Sequence, residues 1–217
     1  MADFRKLVAA SLLIGLLAGL FLSLLQHYQI QPLILAAERF ETPITDHAHD
    51  WQPEDGAQRI GFTILFNCLT GFGFALLISS AMYWKNDYRY SQAVLWTIAG
   101  YLVFFGAPAL GLPPELPGTD SAELQSRQAW WLFTSIATSI GLYGLFFGKN
   151  LWLQLASVTL MAAPHLVGAP HPDIMQSSAP EALQQRFVWM SVITNGLFWL
   201  ALGVFSGWYL PKVNFKS

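Results

Sequence analysis

Six long stretches of this 217-residue chain contain no Asp, Glu, Lys or Arg: Leu7–Ala37, Ile60–Trp84, Tyr90–Pro114, Gln128–Gly148, Asn150–Pro172 and Phe187–Pro211. Each is long enough to supply the roughly 20 residues that a helix needs to cross a hydrocarbon core. Lipid offers no partner to a free backbone N–H or C=O, so such stretches form helices rather than open strands. The alternation expected of a membrane barrel strand is absent. The pattern predicts an all-α integral membrane protein, a single polytopic domain over 1–217. About six transmembrane helices are expected, near 5–27, 60–83, 91–110, 128–147, 151–167 and 187–210. Loops 28–59, 111–127 and 168–186 join them as helical hairpins. The fifth helix is the weakest, being short and carrying Pro164 near its end.

Composition agrees with the pattern. The chain is 54% hydrophobic and 11% charged, where a soluble domain carries about a quarter charged residues. The first apolar run exceeds a usual signal core and no small-x-small cleavage site follows it, so it is expected to stay as a helix. Cys68, the lone cysteine, has no internal disulfide partner and is read as a small packing residue.

Charge placement sets the expected orientation. With the N-terminus inside, the inner segments hold seven basic residues (Arg5, Lys6, Lys85, Arg89, Lys149, Lys212 and Lys216) against two acidic ones, a net +5. The outer loops hold four (Arg39, Arg59, Arg127 and Arg186) against eleven acidic ones, a net −7. The excess of Lys and Arg in short inner loops places both termini in the cytoplasm.

Some of the sequence repeats. Ala107-Pro108-Ala109-Leu110-Gly111 is similar to Ala163-Pro164-His165-Leu166-Val167-Gly168, and Arg127 with Trp130 is similar to Arg186 with Trp189. Each Arg is followed by a glycine pair, Gly144 with Gly148 and Gly203 with Gly207. The match suggests parallel internal repeats, two duplicated hairpins with the first hairpin a looser copy. Small residues at such spacing let membrane helices approach closely.

All five histidines fall in the expected outer half. The densest cluster is Asp46-His47-Ala48-His49-Asp50. In an extended segment His47 and His49 point the same way, and Asp46 and Asp50 add carboxylate oxygens. Nitrogen-plus-oxygen ligands suit divalent first-row metals without choosing among them; the ordinary alternative is a solvated loop. His165 and His171 sit in a third loop stiffened by Pro164, Pro170 and Pro172, and are further candidate ligands. Asn67 and Asn195 either line a hydrophilic path or hydrogen-bond between helices. No buried acid provides a proton relay. Gly144–Asn150 lacks the spacing and the Ser or Thr of a phosphate-binding loop. No catalytic constellation stands out, so no enzyme activity is expected, nor an organic cofactor or a nucleic-acid partner.

Several segments together resemble the CbtA family, the proposed cobalt transporter subunit of bacteria. They are Gly15-Leu16-Leu17-Ala18-Gly19, Gln31-Pro32-Leu33-Ile34-Leu35-Ala36-Ala37-Glu38, Arg127-Gln128-Ala129-Trp130-Trp131 and Pro164–Pro170. The proline-rich string Ala107–Gly118 is the most specific. The resemblance implies a bacterial inner-membrane protein in cobalt uptake for cobalamin synthesis, with the cobalt ion as transported substrate. It also implies a small single-helix, histidine-rich CbtB-like partner; a second copy of the chain is another partner to consider. The family's longer histidine run in the first loop is reduced here to His47 and His49. The competing expectation is a membrane assembly or scaffold subunit with no metal site of its own.

Overall fold

The computed structural model describes residues 1–40, 53–172 and 177–215. Among these the chain is helical, with no strand beyond an isolated bridge between Thr119 and Ser177. Six helices follow one another: α1 Ala2–Glu38, α2 Ala57–Lys85, α3 Tyr90–Gly111, α4 Leu124–Phe147, α5 Leu151–Val167 and α6 Glu181–Lys212. All but α5 are long and apolar enough to cross a membrane. At 1.5 Å per residue, α5 reaches about 25 Å, against a hydrocarbon core of about 30 Å.

Two helices run further than the sequence predicts. The chain from residue 28 was expected to be loop, but α1 continues to Glu38. Pro32 has no N–H, and its ring crowds the carbonyl four residues back. Just before it lies a π turn, Gln26–Ile30, closed by Gln31 N–H donating to the Gln26 carbonyl. The wider turn absorbs the conflict, and the helix passes through. The same device precedes Pro108 in α3, where the π turn Leu102–Gly106 closes with Ala107 N–H on the Leu102 carbonyl. Helix α6 starts at Glu181 rather than near 187. Pro180 precedes it, and Glu181 places a negative charge in its first turn, which the helix dipole favours.

The chain forms two compact units. One takes the described parts of Met1–Pro32, Thr42–Ile98 and Ile193–Ser217; the other takes those of Leu33–Glu41 and Ala99–Val192. In the first, α1 and α2 touch backbone to backbone. A Cβ on Gly15 would overlap the Phe72 backbone, and one on Gly71 would overlap the Gly15 carbonyl. Ser11, Ser79 and Ser206 are wholly buried, while Leu20, Leu24, Phe66 and Leu69 are at least half exposed. Ile14, Met82, Phe198 and Leu202 share that interior, but many large apolar side chains face outward, since lipid gives them no reason to hide. In the second unit, α4 lies on α5 with Gly141 facing Met161 and Gly144 facing Ser157.

The matched glycines do pack against helices, but against helices outside their own hairpin. Gly144 of α4 meets Ser157 of α5, and Gly203 of α6 meets Thr97 of α3. Each glycine thus faces a hydroxyl on the first helix of the other expected hairpin. Gly148 instead ends α4, its N–H donating to the Gly144 carbonyl at 2.8 Å.

Candidate functional site

The π turn of α1 concentrates polar side chains where the sequence offers almost none. Asn67 of α2 is buried, and its amide N–H₂ donates to Ser23 Oγ at 3.1 Å and to Gln26 Oε1 at 2.8 Å. Thr194 of α6 donates its hydroxyl to Gln29 Oε1 at 3.1 Å. His27 Nδ1 lies 2.7 Å from Gln31 Oε1. Three helices of the first unit thus contribute to one band of amides and hydroxyls around Gln26–Gln31. Asn67 takes the interhelical role, and Asn195 has an interaction partner as well. Reading by charge missed Gln26, Gln29 and Gln31, which break no charge-free run. Their signal was three glutamines within six residues, directly before or beside a mid-helix proline.

The four first-loop candidates, Asp46, His47, His49 and Asp50, lie outside the described residues. His165 sits in the last turn of α5, half-buried, its ring edge-on to Trp130 with centroids 5.7 Å apart. Trp130 also donates its indole N–H to the Pro164 carbonyl at 3.2 Å, and Gly168 N–H reaches the same carbonyl at 3.1 Å. Gly168 takes φ +89°, a conformation that glycine adopts at no steric cost. His165 is therefore held by a fixed helix end and an aromatic wall. His171 is exposed beyond Pro170. Among the described residues no three of His, Cys, Asp or Glu come together.

The proline-rich loop is clasped to the start of α6. Gln184 accepts from Leu116 N–H at 3.0 Å and donates to the Pro114 carbonyl at 2.9 Å. Gly118, at φ +75°, offers its carbonyl to Ser178 N–H at 3.1 Å. Arg127 pairs with Glu115 at 3.1 Å. One glutamine amide, donor and acceptor together, satisfies both backbone directions of a segment too rich in proline to pair with itself.

The tight turn between α2 and α3 carries a different pair. Arg89 donates to both carboxylate oxygens of Asp87, at 2.9 and 2.7 Å, and holds that carboxyl below its ordinary value. Burial pushes the neighbouring Tyr88 phenol up, and its ring stacks on Phe215 at 5.0 Å. Lys6 reaches the Asn214 carbonyl.

A family model described as Probable cobalt transporter subunit (CbtA) matches residues 4–211. The chain belongs to the CbtA family. That range takes in all six helices, the π-turn band and the clasped loop. The transporter role that this description gives the family accords with the all-α membrane architecture. Comparison with curated proteins and with solved structures found no match.

Proposed function

We propose that this chain is the bacterial inner-membrane subunit of a cobalt uptake transporter, with both termini cytoplasmic. The observation that carries the reading is the family match across residues 4–211, which leaves no helix unaccounted for. In this reading the acidic, histidine-bearing first loop collects the divalent ion through Asp46, His47, His49 and Asp50. His165 and His171 receive it at the membrane boundary. A small single-helix, histidine-rich subunit completes the transporter.

The test is cobalt accumulation in cells carrying each variant at normal expression. His47→Ala with His49→Ala should weaken uptake when external cobalt is scarce and spare it when cobalt is ample, because a collecting loop matters only at low concentration. His165→Ala should impair uptake at both. If a variant lacking all four histidines accumulates cobalt like the parent at scarce metal, the collecting role is wrong. A reporter fused at Ser217 that is active only outside the cytoplasm overturns the orientation.

A second reading, an assembly subunit with no metal site, draws on the missing His, Cys, Asp or Glu cluster among the described residues. It predicts unchanged metal-dependent stability of the purified protein and loss of the partner subunit from the membrane when this chain is deleted.

A further inference from the structure

In the second unit, a cleft of about 570 Å³ opens between the π turn of α3 and the first turns of α4. Its origin is local. Pro108 forces the wide turn at Leu102–Gly106, which sets Phe104 and Phe105 as one wall, and the clasped loop then carries Glu115 back to the cleft's end. Trp131 and Leu132 of α4 form the opposite wall. Apart from Gln128 on the α4 side, the side chains along the cleft are apolar up to that end, where Glu115 and Arg127 pair at 3.1 Å. Both of their side chains are shielded, at 20% and 30% exposed, whereas the pairs Arg59–Asp55 and Arg89–Asp87 each keep one partner open, Asp55 at 80% and Arg89 at 73%.

We propose that this cleft binds a phospholipid with a primary-ammonium headgroup. An acyl chain lies along Phe104, Phe105 and Leu132, the phosphate faces Arg127 and the ammonium faces Glu115. The walls belong to two membrane-spanning helices, so the bulk around an apolar opening here is lipid rather than water. A guanidinium presents its N–H fork to phosphate oxygens, and a carboxylate accepts from an ammonium. The neutral pair matches a zwitterion better than an anionic headgroup, which Glu115 would repel. Choline, fully methylated, has no N–H to give Glu115. A partner helix fits poorly: one helical turn with its side chains fills roughly 500 Å³, so the cleft holds about a single turn.

The experiment uses the whole purified chain in nanodiscs of defined composition, with retained lipid counted by native mass spectrometry. Phosphatidylethanolamine should be retained about tenfold over phosphatidylcholine and phosphatidylglycerol, the size of one lost charged hydrogen bond. Glu115→Gln and Arg127→Gln should erase that preference. Because either change also breaks an ion pair and can unfold the loop, Ala109→Phe serves as the second variant. Ala109 lines the cleft, and a phenylalanine there fills it while leaving Glu115 and Arg127 in place. Full retention by Ala109→Phe, or equal retention of the three lipids by the parent, overturns the proposal. So does a protein helix that protects the cleft walls from labelling in the absence of bound phosphatidylethanolamine.

Discussion

Glycines line both the α1–α2 contact and the α4–α5 contact, yet they serve opposite ends. In the first, Gly15, Gly19 and Gly71 bring two backbones together, with Gly15 against Phe72 and Gly19 against Cys68. Nothing in that contact can move aside. In the second, Gly141 and Gly144 mainly make room for side chains, the flexible Met161 and the hydroxyl of Ser157, although a Cβ on Gly141 would also press on the Ser157 carbonyl at 2.9 Å. The polar groups differ in the same way. Asn67 ties α2 to α1 from inside the contact, while α4 and α5 are tied at their ends, by Trp130 on the Pro164 carbonyl and by Gln154, whose amide donates to the Gly148 carbonyl at 3.4 Å. A small-x-x-x-small spacing says that helices come close; it does not say whether backbone or side chain fills the gap.

The largest expected effect separates these two contacts directly. Gly15→Leu should abolish folded, monodisperse protein in detergent, because the backbone of Phe72 cannot yield. Gly141→Ala should cost about 1–3 kcal/mol, the usual range for overpacking, since Met161 can swing away and only the Ser157 carbonyl, 2.9 Å from the added methyl, must give by a small shift. Comparable thermal stability in the two variants would erase the distinction.

Next comes the polar tie inside α1–α2. Asn67→Leu loses two interhelical hydrogen bonds, each worth about 1 kcal/mol in a membrane bundle. Gln26→Leu removes one of the same bonds, so a double-mutant cycle should show the two substitutions to be less than additive. Strict additivity of the unfolding free energies would mean that Gln26 and Asn67 do not share a bond.

A smaller effect belongs to the turn joining α4 to α5. Asn150 caps α5 by accepting from Leu153 N–H at 2.8 Å. Asn150→Ala should lower stability by about 1 kcal/mol, with Asn150→Asp close to the parent. Chemical denaturation of the two variants side by side checks the cap.

The smallest lies in the corresponding turn between α2 and α3. The Asp87 carboxyl is lowered by the Arg89 hydrogen bonds, so its contribution to stability is present above the unfolded carboxylate value of about 3.9. It is lost as pH falls below that value through the lower folded one. Arg89 is exposed and Asp87 half-buried in a surface turn, so the effect on thermal stability below pH 4 should be slight and screened by salt. Asp87→Asn should remove it, and an Asp87→Asn profile identical to the parent's would assign the acid sensitivity to other carboxyls.

The sequence exposed most of the architecture because membrane insertion is decided locally. A run without charge is a property of neighbouring residues, and the full length of Leu7–Ala37 matches the helix continuing to Glu38 better than the expected bound at 27. Pro32 normally costs a broken helix, and the π turn that lets α1 pass through it is a rarer remedy. His165 could be placed near a helix end from Pro164 alone. Its aromatic wall could not, since Trp130 is 35 positions away and serves equally well as an interfacial anchor.

By itself, then, the sequence determined that the chain is helical, how many apolar helices it has, where its charges cluster and that glycines such as Gly144 and Gly203 allow close approach. Tertiary structure decided what those features meet. Gln184 clasps Pro114 and Leu116 across some 70 residues, Gly203 faces Thr97 rather than its own hairpin, and Glu115 comes back to Arg127 beside a cleft made by Pro108. Hydrophobicity is a property of each residue and adds up along the chain, whereas hydrogen bonds, ion pairs and backbone contacts exist only between two positions. Until the helices are packed, every glutamine, glycine and arginine has many equivalent partners, and only the fold selects one.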